Sequence, residues 1–185
     1  MMSMLSPESK VDLDEAFEFL SLDPLVGGSM NKQQFNVLFE AAVKVPDGGL
    51  IATMGSYLVM STVALSLACI GKSKRIIVWD AVREDKAGAQ VSDPVQKSLI
   101  ANYEDYFYRN LRRYNVEHCA YLAGLSPDKS ISELNKYVDL LVISTGNIDT
   151  SIKDLGLFER NGRILYLFNL DSEPKLMEIS AQQLA

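Results

Sequence analysis

The chain has 185 residues, 48% of them hydrophobic and 23% charged, which predicts one globular domain with a substantial core. Its formal net charge of −6 argues against a nucleic-acid partner, because phosphate binding needs clustered Lys and Arg. The longest apolar run, residues 57–70, is interrupted by Ser61, Thr62 and Ser66 and is too short for a membrane span, so no membrane partner is expected.

Hydrophobic periodicity predicts helices at the start of the chain and alternating strands and helices after residue 50. The second helix can be capped by Ser29 or Asn31, and the polar residues 81–91 are predicted to form a loop. In chain order, the predicted elements begin with a helix over 11–20 and a second helix that runs from its cap to about residue 45. The predicted strands are 50–54, 75–80, 119–123, 139–144, 163–168 and 175–179. The predicted helices between them are 61–69, 93–114, 130–137 and 152–158.

This alternation implies right-handed βαβ units and a parallel sheet. We therefore expect an α/β fold with a doubly wound, mostly parallel, Rossmann-like sheet of about six strands and N-terminal helices. Residues 1–27 would form a helical extension, and residues 28–185 the Rossmann-like domain. The N-terminal helices could cover the ligand crevice or make the contact of a homo-oligomer.

The two cysteines and the N-terminal residues bear on the cellular compartment. Cys69 and Cys119 lie in apolar stretches without the spacing of a metal or redox motif, which favours buried free thiols in a reducing compartment. No N-terminal stretch combines basic residues, an apolar run and a cleavage site. A cytoplasmic location is therefore expected.

In open parallel sheets, ligands bind beyond the carboxyl ends of the strands, where the strand order reverses. Glycine in the turn after the first strand would let the backbone approach a ligand, and the next helix would point its positive end there. An ordinary turn followed by a capped helix accounts for the same pattern. The candidate residues of this turn and helix are Gly55, Ser56, Tyr57, Ser61 and Thr62.

Two further strand ends carry candidate ligand-binding residues. Asp80 ends the second strand, where a carboxylate can accept hydrogen bonds from a ribose diol. Gly124 and Ser126 follow the third strand and could border an adenine ring. Each has a simpler explanation, since acids at strand ends aid solubility and Ser126 or Asp128 could cap a helix.

Segments from about residue 28 to 168 stand in the order found in one known family. The segments are Gly28-Ser29-Met30, Pro46-Asp47-Gly48-Gly49, Gly55-Ser56-Tyr57, Trp79-Asp80, Asn115-Val116, Asp139-Leu140-Leu141-Val142-Ile143 and Asn161-Gly162-Arg163-Ile164. Together they resemble class I S-adenosylmethionine (SAM)-dependent methyltransferases, most closely the small-molecule and sugar O-methyltransferases. The resemblance implies transfer of a methyl group from SAM to a small molecule, at oxygen. The residues it implies for SAM binding are Gly55, Ser56, Tyr57, Ser61, Asp80, Gly124 and Ser126.

The chain departs from the family pattern at several positions. The family usually has an acid where this chain has Thr53, and a glycine where it has Val59, whose side chain could obstruct the cofactor. Ser144 replaces the aspartate that ligates a divalent cation in metal-dependent relatives, so no metal is expected. The best remaining candidate for a catalytic base is Asp171, because His118 precedes the third strand at the opposite end of the sheet.

Two functions follow from these features. One is a SAM-dependent methyltransferase, which the predicted sheet, Gly55 and Asp80 favour. The other is a non-catalytic protein of the same fold that binds another ligand or serves as a partner or assembly subunit, which Thr53, Val59 and Ser144 favour.

Overall fold

The computed structural model describes residues 12–22, 30–54, 59–79, 102–123, 138–143, 164–167 and 177–178. The described helices are α1 (Leu13–Leu22), α2 (Lys32–Lys44), α3 (Met60–Leu67) and α4 (Tyr103–Arg113). The described strands are β1 (Leu50–Met54), β2 (Arg75–Trp79), β3 (Ala120–Leu122), β4 (Val138–Ile143), β5 (Ile164–Leu167) and β6 (Met177–Glu178). The predicted loop 81–91 and the predicted helices over 130–137 and 152–158 lie outside these residues. None of the four described helices has the length and apolar character needed to cross a bilayer.

The strands form one six-stranded sheet in the order β3-β2-β1-β4-β5-β6. All neighbouring pairs are parallel except β5 and β6, which are antiparallel. This sheet confirms the predicted α/β, mostly parallel, Rossmann-like architecture. The short strand β6 also confirms the edge strand predicted near the end of the chain.

Two helix starts show how local chemistry sets the element boundaries. At α2, Asn31 is the cap: its side chain accepts a hydrogen bond from the Gln34 amide, while the Gln34 side chain accepts one from the Asn31 amide, both at 2.9 Å. The prediction of one continuous helix from Asp93 to Tyr114 is wrong at Asn102, because α4 begins at Tyr103; residues 93–101 lie outside the described residues. Asn102 there has a non-helical backbone (φ −115°, ψ 28°), in keeping with the preference of asparagine for helix ends over helix interiors.

One face of the sheet carries the main core. Strand register places six buried side chains together on this face of the three central strands: Ile51, Thr53, Ile76, Val78, Leu140 and Val142. All except Thr53 belong to an apolar core that includes residues of every described helix. Examples are Leu20 of α1, Phe35 of α2, Val63 of α3 and Phe107 of α4, each fully buried. Thr53 is therefore a polar residue in an otherwise apolar row.

Hydrogen bonds from side chains to the backbone secure the amino ends of the strands. Lys74, just before β2, is buried and donates to the carbonyl oxygens of Ala42 (2.8 Å) and Val43 (3.0 Å) near the end of α2. Asp139 of β4 accepts a 2.8 Å bond from the amide of Leu50, the first residue of β1. These bonds join α2, β1, β2 and β4 at the end of the sheet opposite the predicted crevice.

Candidate ligand-binding crevice

Strand order places the candidate crevice beside the carboxyl end of β1. β1 pairs with β2 on one side and with β4 on the other, so the order of connection reverses there. Met54 is in register with Trp79 of β2 and with Ile143 of β4, so the three strands end at one level. In open parallel sheets this is the position where ligands bind.

Helix α3 begins at the same end of the sheet, with five residues between it and β1. The first-turn amides of any α-helix lack partners within the helix and carry a partial positive charge. Ser61 and Thr62 are the second and third residues of α3, and both are buried. The Thr62 hydroxyl has no hydrogen-bond partner in the described structure. Ser61 thus lies in the first turn, as the sequence predicted, and its role in cofactor binding stays a prediction.

Val59, which precedes α3, has a left-handed backbone conformation with φ 69° and ψ −10°. For an L-residue this conformation costs about 1–2 kcal/mol, and a β-branched side chain is among the least suited to it. The Val59 side chain is fully buried and belongs to the apolar core. The backbone therefore keeps a turn suited to glycine, the residue that the resembling family has at this position.

Thr53 lies one residue before the end of β1, and its side chain is fully buried. Its register neighbours are Val78 and Val142, which are also fully buried. Thr53 Oγ1 has no hydrogen-bond partner in the described structure. An unsatisfied buried hydroxyl costs about 1–3 kcal/mol, so Thr53 is a second destabilising feature near the crevice. The sequence identified Thr53 only as a missing acid, because burial and lack of a partner depend on tertiary pairing.

Most of the predicted site residues lie outside the described residues. These are Gly55, Ser56, Tyr57, Asp80, Gly124, Ser126 and Asp171, together with Ser144. Their assigned roles stay predictions. His118 is exposed and lies two residues before β3, at the amino end of the sheet, where the sequence placed it.

The two thiols lie away from the crevice, after the end of α3 and just before β3. Both are free and buried, which confirms the prediction of buried free thiols. They share a hydrogen bond, which, together with burial, raises the pKa of Cys69 well above its usual range. The same bond lowers the pKa of Cys119.

Solved structures resemble this arrangement, although no protein-family model and no curated protein matches the sequence. A cofactor-bound protein from MTB matches with a TM-score of 0.52 and 16% identity over 84% of this chain. An O-methyltransferase from Bacillus cereus, in complex with S-adenosylhomocysteine (SAH), matches with a TM-score of 0.52 and 15% identity over 86%. The O-methyltransferase TomG from Streptomyces achromogenes, involved in tomaymycin synthesis and in complex with SAM, matches with a TM-score of 0.50 and 14% identity over 86%.

The chain has the fold of the class I SAM-dependent methyltransferases. A methyltransferase-type fold therefore contains the sheet order, the left-handed residue Val59 and the start of α3 described above. The matching region covers 62% of the MTB protein and 66% of each of the other two chains, so it spans less than two thirds of their lengths. At this level of identity the likeness establishes the fold of the chain.

Proposed function

We propose that the chain is a SAM-dependent methyltransferase that transfers a methyl group to an oxygen atom of a small molecule. The observation that carries the proposal is the reversal of strand order at β1, together with the left-handed backbone of Val59 at the start of α3. Two solved structures with this fold hold SAM or SAH. The buried free thiols further support a reducing, cytoplasmic setting.

The described residues fit a nucleoside-type cofactor at this position. Val59 keeps the left-handed backbone while its side chain packs in the core, so the turn has the conformation expected with glycine. The first-turn amides of α3 can donate hydrogen bonds. The hydroxyls of Thr53 and Thr62, which have no hydrogen-bond partner among the described residues, add polar groups at the same end of the sheet.

In this proposal, bound SAM supplies an electrophilic methyl group on its sulfonium. The chain binds and orients the two reactants, and positioning alone can supply a large part of the rate enhancement of a two-reactant transfer. Asp80 is the proposed acceptor of hydrogen bonds from the ribose, and Asp171 is the proposed base for the acceptor hydroxyl proton. Gly55, Ser56, Tyr57, Ser61, Gly124 and Ser126 complete the proposed cofactor site.

A second candidate is a non-catalytic protein of this fold that binds another ligand or serves as a partner or assembly subunit. Val59 favours it, because a valine stands where the resembling family has a glycine, which leaves room for the cofactor. Binding of SAH by Val59→Gly separates the two candidates. Affinity similar to that of the wild type supports the methyltransferase, whereas binding by the variant alone supports the second candidate.

Calorimetric titration with SAM and SAH tests the proposed function directly. We expect both to bind, and Asp80→Ala to weaken binding by about 1.5–3 kcal/mol through loss of hydrogen bonds to a charged group. Glu117→Ala is the matched control, because Glu117 is exposed near the amino end of β3 and its loss should leave the affinity unchanged. Absence of binding at millimolar ligand would refute the methyltransferase proposal.

A further inference from the structure

The two cysteines of the chain, Cys69 and Cys119, meet in the fold near the amino end of β2. Cys69 lies in the turn between α3 and β2, and Cys119 directly precedes β3. Their thiols share a hydrogen bond, and both side chains belong to the main core. The Cys119 carbonyl accepts a 2.7 Å bond from the amide of Ile76, which fixes its place beside β2. Two thiols from distant parts of the sequence are thus held as direct neighbours.

The thiol pair lies just beneath the surface of the protein. Cys69 is fully buried and Cys119 is 4% exposed, but Gly71 and His118, close to them along the chain, are exposed. Both cysteines are in turns outside the helices and strands, so their side chains can move without breaking a regular element. Cys119 is therefore the thiol that a small reagent reaches first.

The shared hydrogen bond gives the two thiols different chemistry. It lowers the pKa of Cys119 and raises the pKa of Cys69, and burial and the Glu117 carboxylate oppose the lowering at Cys119 without reversing it. Cys119 is therefore the first of the two to become a thiolate, which is the nucleophilic form of cysteine. The ammonium group of Lys74 lies close enough to Cys69 to favour the thiolate there once Cys119 has reacted. An attacking thiol beside a second thiol is the arrangement of cysteines that respond to oxidants.

We propose that Cys69 and Cys119 form an oxidative modification site, at which hydrogen peroxide converts the two thiols into an intramolecular disulfide. The Cys119 sulfur attacks one peroxide oxygen, the O–O bond breaks, and a water molecule leaves with the thiol proton. Cys119 is then a sulfenic acid. The Cys69 sulfur attacks the Cys119 sulfur, the S–O bond breaks, and a second water leaves with the Cys69 proton. The two thiols are oxidised to one disulfide, and the peroxide is reduced to two waters.

The disulfide joins the turn after α3 to the start of β3 and closes a loop of about 50 residues, which restricts the unfolded chain. It should raise the melting temperature of the oxidised protein by about 5–15 °C over that of the reduced protein. In a reducing compartment such a bond is transient, because thiol exchange removes it. The inference is independent of the proposed function, since the pair lies at the opposite end of the sheet from the crevice.

The test treats the folded wild type with a stoichiometric amount of hydrogen peroxide and then unfolds it in an alkylating reagent. We expect mass spectrometry to show loss of two hydrogen atoms, no alkylation, and a linked peptide pair that contains Cys69 and Cys119. The product should stay a single chain on a non-reducing gel and melt at the higher temperature. Dithiothreitol should restore both thiols and the original melting temperature, which separates the disulfide from oxidised methionine.

Cys69→Ala and Cys119→Ala are the matched variants, because each leaves one thiol of the pair. Peroxide should add oxygen to Cys119 in Cys69→Ala and leave Cys69 reduced in Cys119→Ala, and neither variant should gain melting temperature. In an unfolded chain the two thiols would react alike, so equal oxidation of the two variants would overturn the proposal. Full alkylation of both thiols after peroxide treatment of the wild type would overturn it as well, as would disulfides formed only between chains.

Discussion

The left-handed conformation of Val59 predicts that glycine loses its usual disadvantage relative to alanine at this position. Truncation to alanine removes two buried methyl groups, which costs about 2 kcal/mol at about 0.8 kcal/mol each plus a cavity term. Alanine keeps the left-handed strain of about 1–2 kcal/mol, whereas glycine relieves it. The greater freedom of glycine in the unfolded chain costs about 0.5–1 kcal/mol. Glycine also loses the buried β-carbon, which costs about 0.8 kcal/mol. We therefore expect Val59→Gly and Val59→Ala to have similar free energies of unfolding, within about 1 kcal/mol of each other.

Val63 provides the matched control, because it is a fully buried valine inside α3. In a helix interior, glycine is less stable than alanine by about 1 kcal/mol, and here it also loses a buried β-carbon worth about 0.8 kcal/mol. The alanine variant should therefore be clearly more stable than the glycine variant at position 63, and the two should be similar at position 59. Urea unfolding of the four variants measures this difference, which amounts to about 1.5–2 kcal/mol between the sites. If Val59→Gly is less stable than Val59→Ala by the margin found at Val63, the left-handed conformation is not strained and the reasoning is wrong.

Two further predictions concern buried titratable groups. Lys74→Met should lower the free energy of unfolding at pH 7 by about 1–3 kcal/mol, since the carbonyls of Ala42 and Val43 lose their donor. Burial lowers the pKa of Lys74, so the folded state releases the lysine proton more readily than the unfolded state does. The free energy of unfolding of the wild type should therefore rise relative to that of Lys74→Met as pH rises toward the ordinary lysine pKa. An equal pH dependence in both proteins would contradict this. Cys69 and Cys119 should resist alkylation in the native protein and react after unfolding, as measured by mass spectrometry, and rapid native labelling of both would contradict their burial.

The sequence predicted the central sheet well where apolar runs lie between strong turn signals. Residues 50–54 were predicted as a strand and form β1, because Pro46-Asp47-Gly48-Gly49 precedes a short segment that is apolar except at Thr53. The start of α4 was missed, because the apolar periodicity continues across Asn102 and gives no sign of its non-helical backbone. Periodicity reports which face is buried, and it is insensitive to a single non-helical residue.

The features of the crevice depended on information that the sequence does not carry locally. Valine is a poor residue for a left-handed turn, so nothing in the local sequence predicted the conformation of Val59. The sequence instead raised the possibility that its side chain obstructs the cofactor. The environment of Thr53 depends on register with Val78 and Val142, which lie 25 and 89 residues further along the chain. Such pairing is set by the tertiary fold.

The two ends of β1 differ in how their polar groups are satisfied, and this difference yields a last prediction. At the amino end, Asp139 accepts a hydrogen bond from the Leu50 amide where the register between β1 and β4 shifts. Near the carboxyl end, the Thr53 hydroxyl has no hydrogen-bond partner in the part of the chain that the structure describes. Asp139→Ala should therefore lower the free energy of unfolding by about 1.5–3 kcal/mol, as expected for a hydrogen bond to a charged group.

The affinity of folded Asp139→Ala for SAH should stay unchanged, because Leu50 and Met54 are about 13 Å apart along the strand. Urea unfolding and calorimetric titration of the same preparation measure the two quantities. Asp139→Asn, which keeps an accepting oxygen, should lose less stability than the alanine variant. If affinity falls together with stability in Asp139→Ala, the two ends of the sheet are coupled. Stability at the amino end and binding at the carboxyl end would then no longer be separable properties of β1.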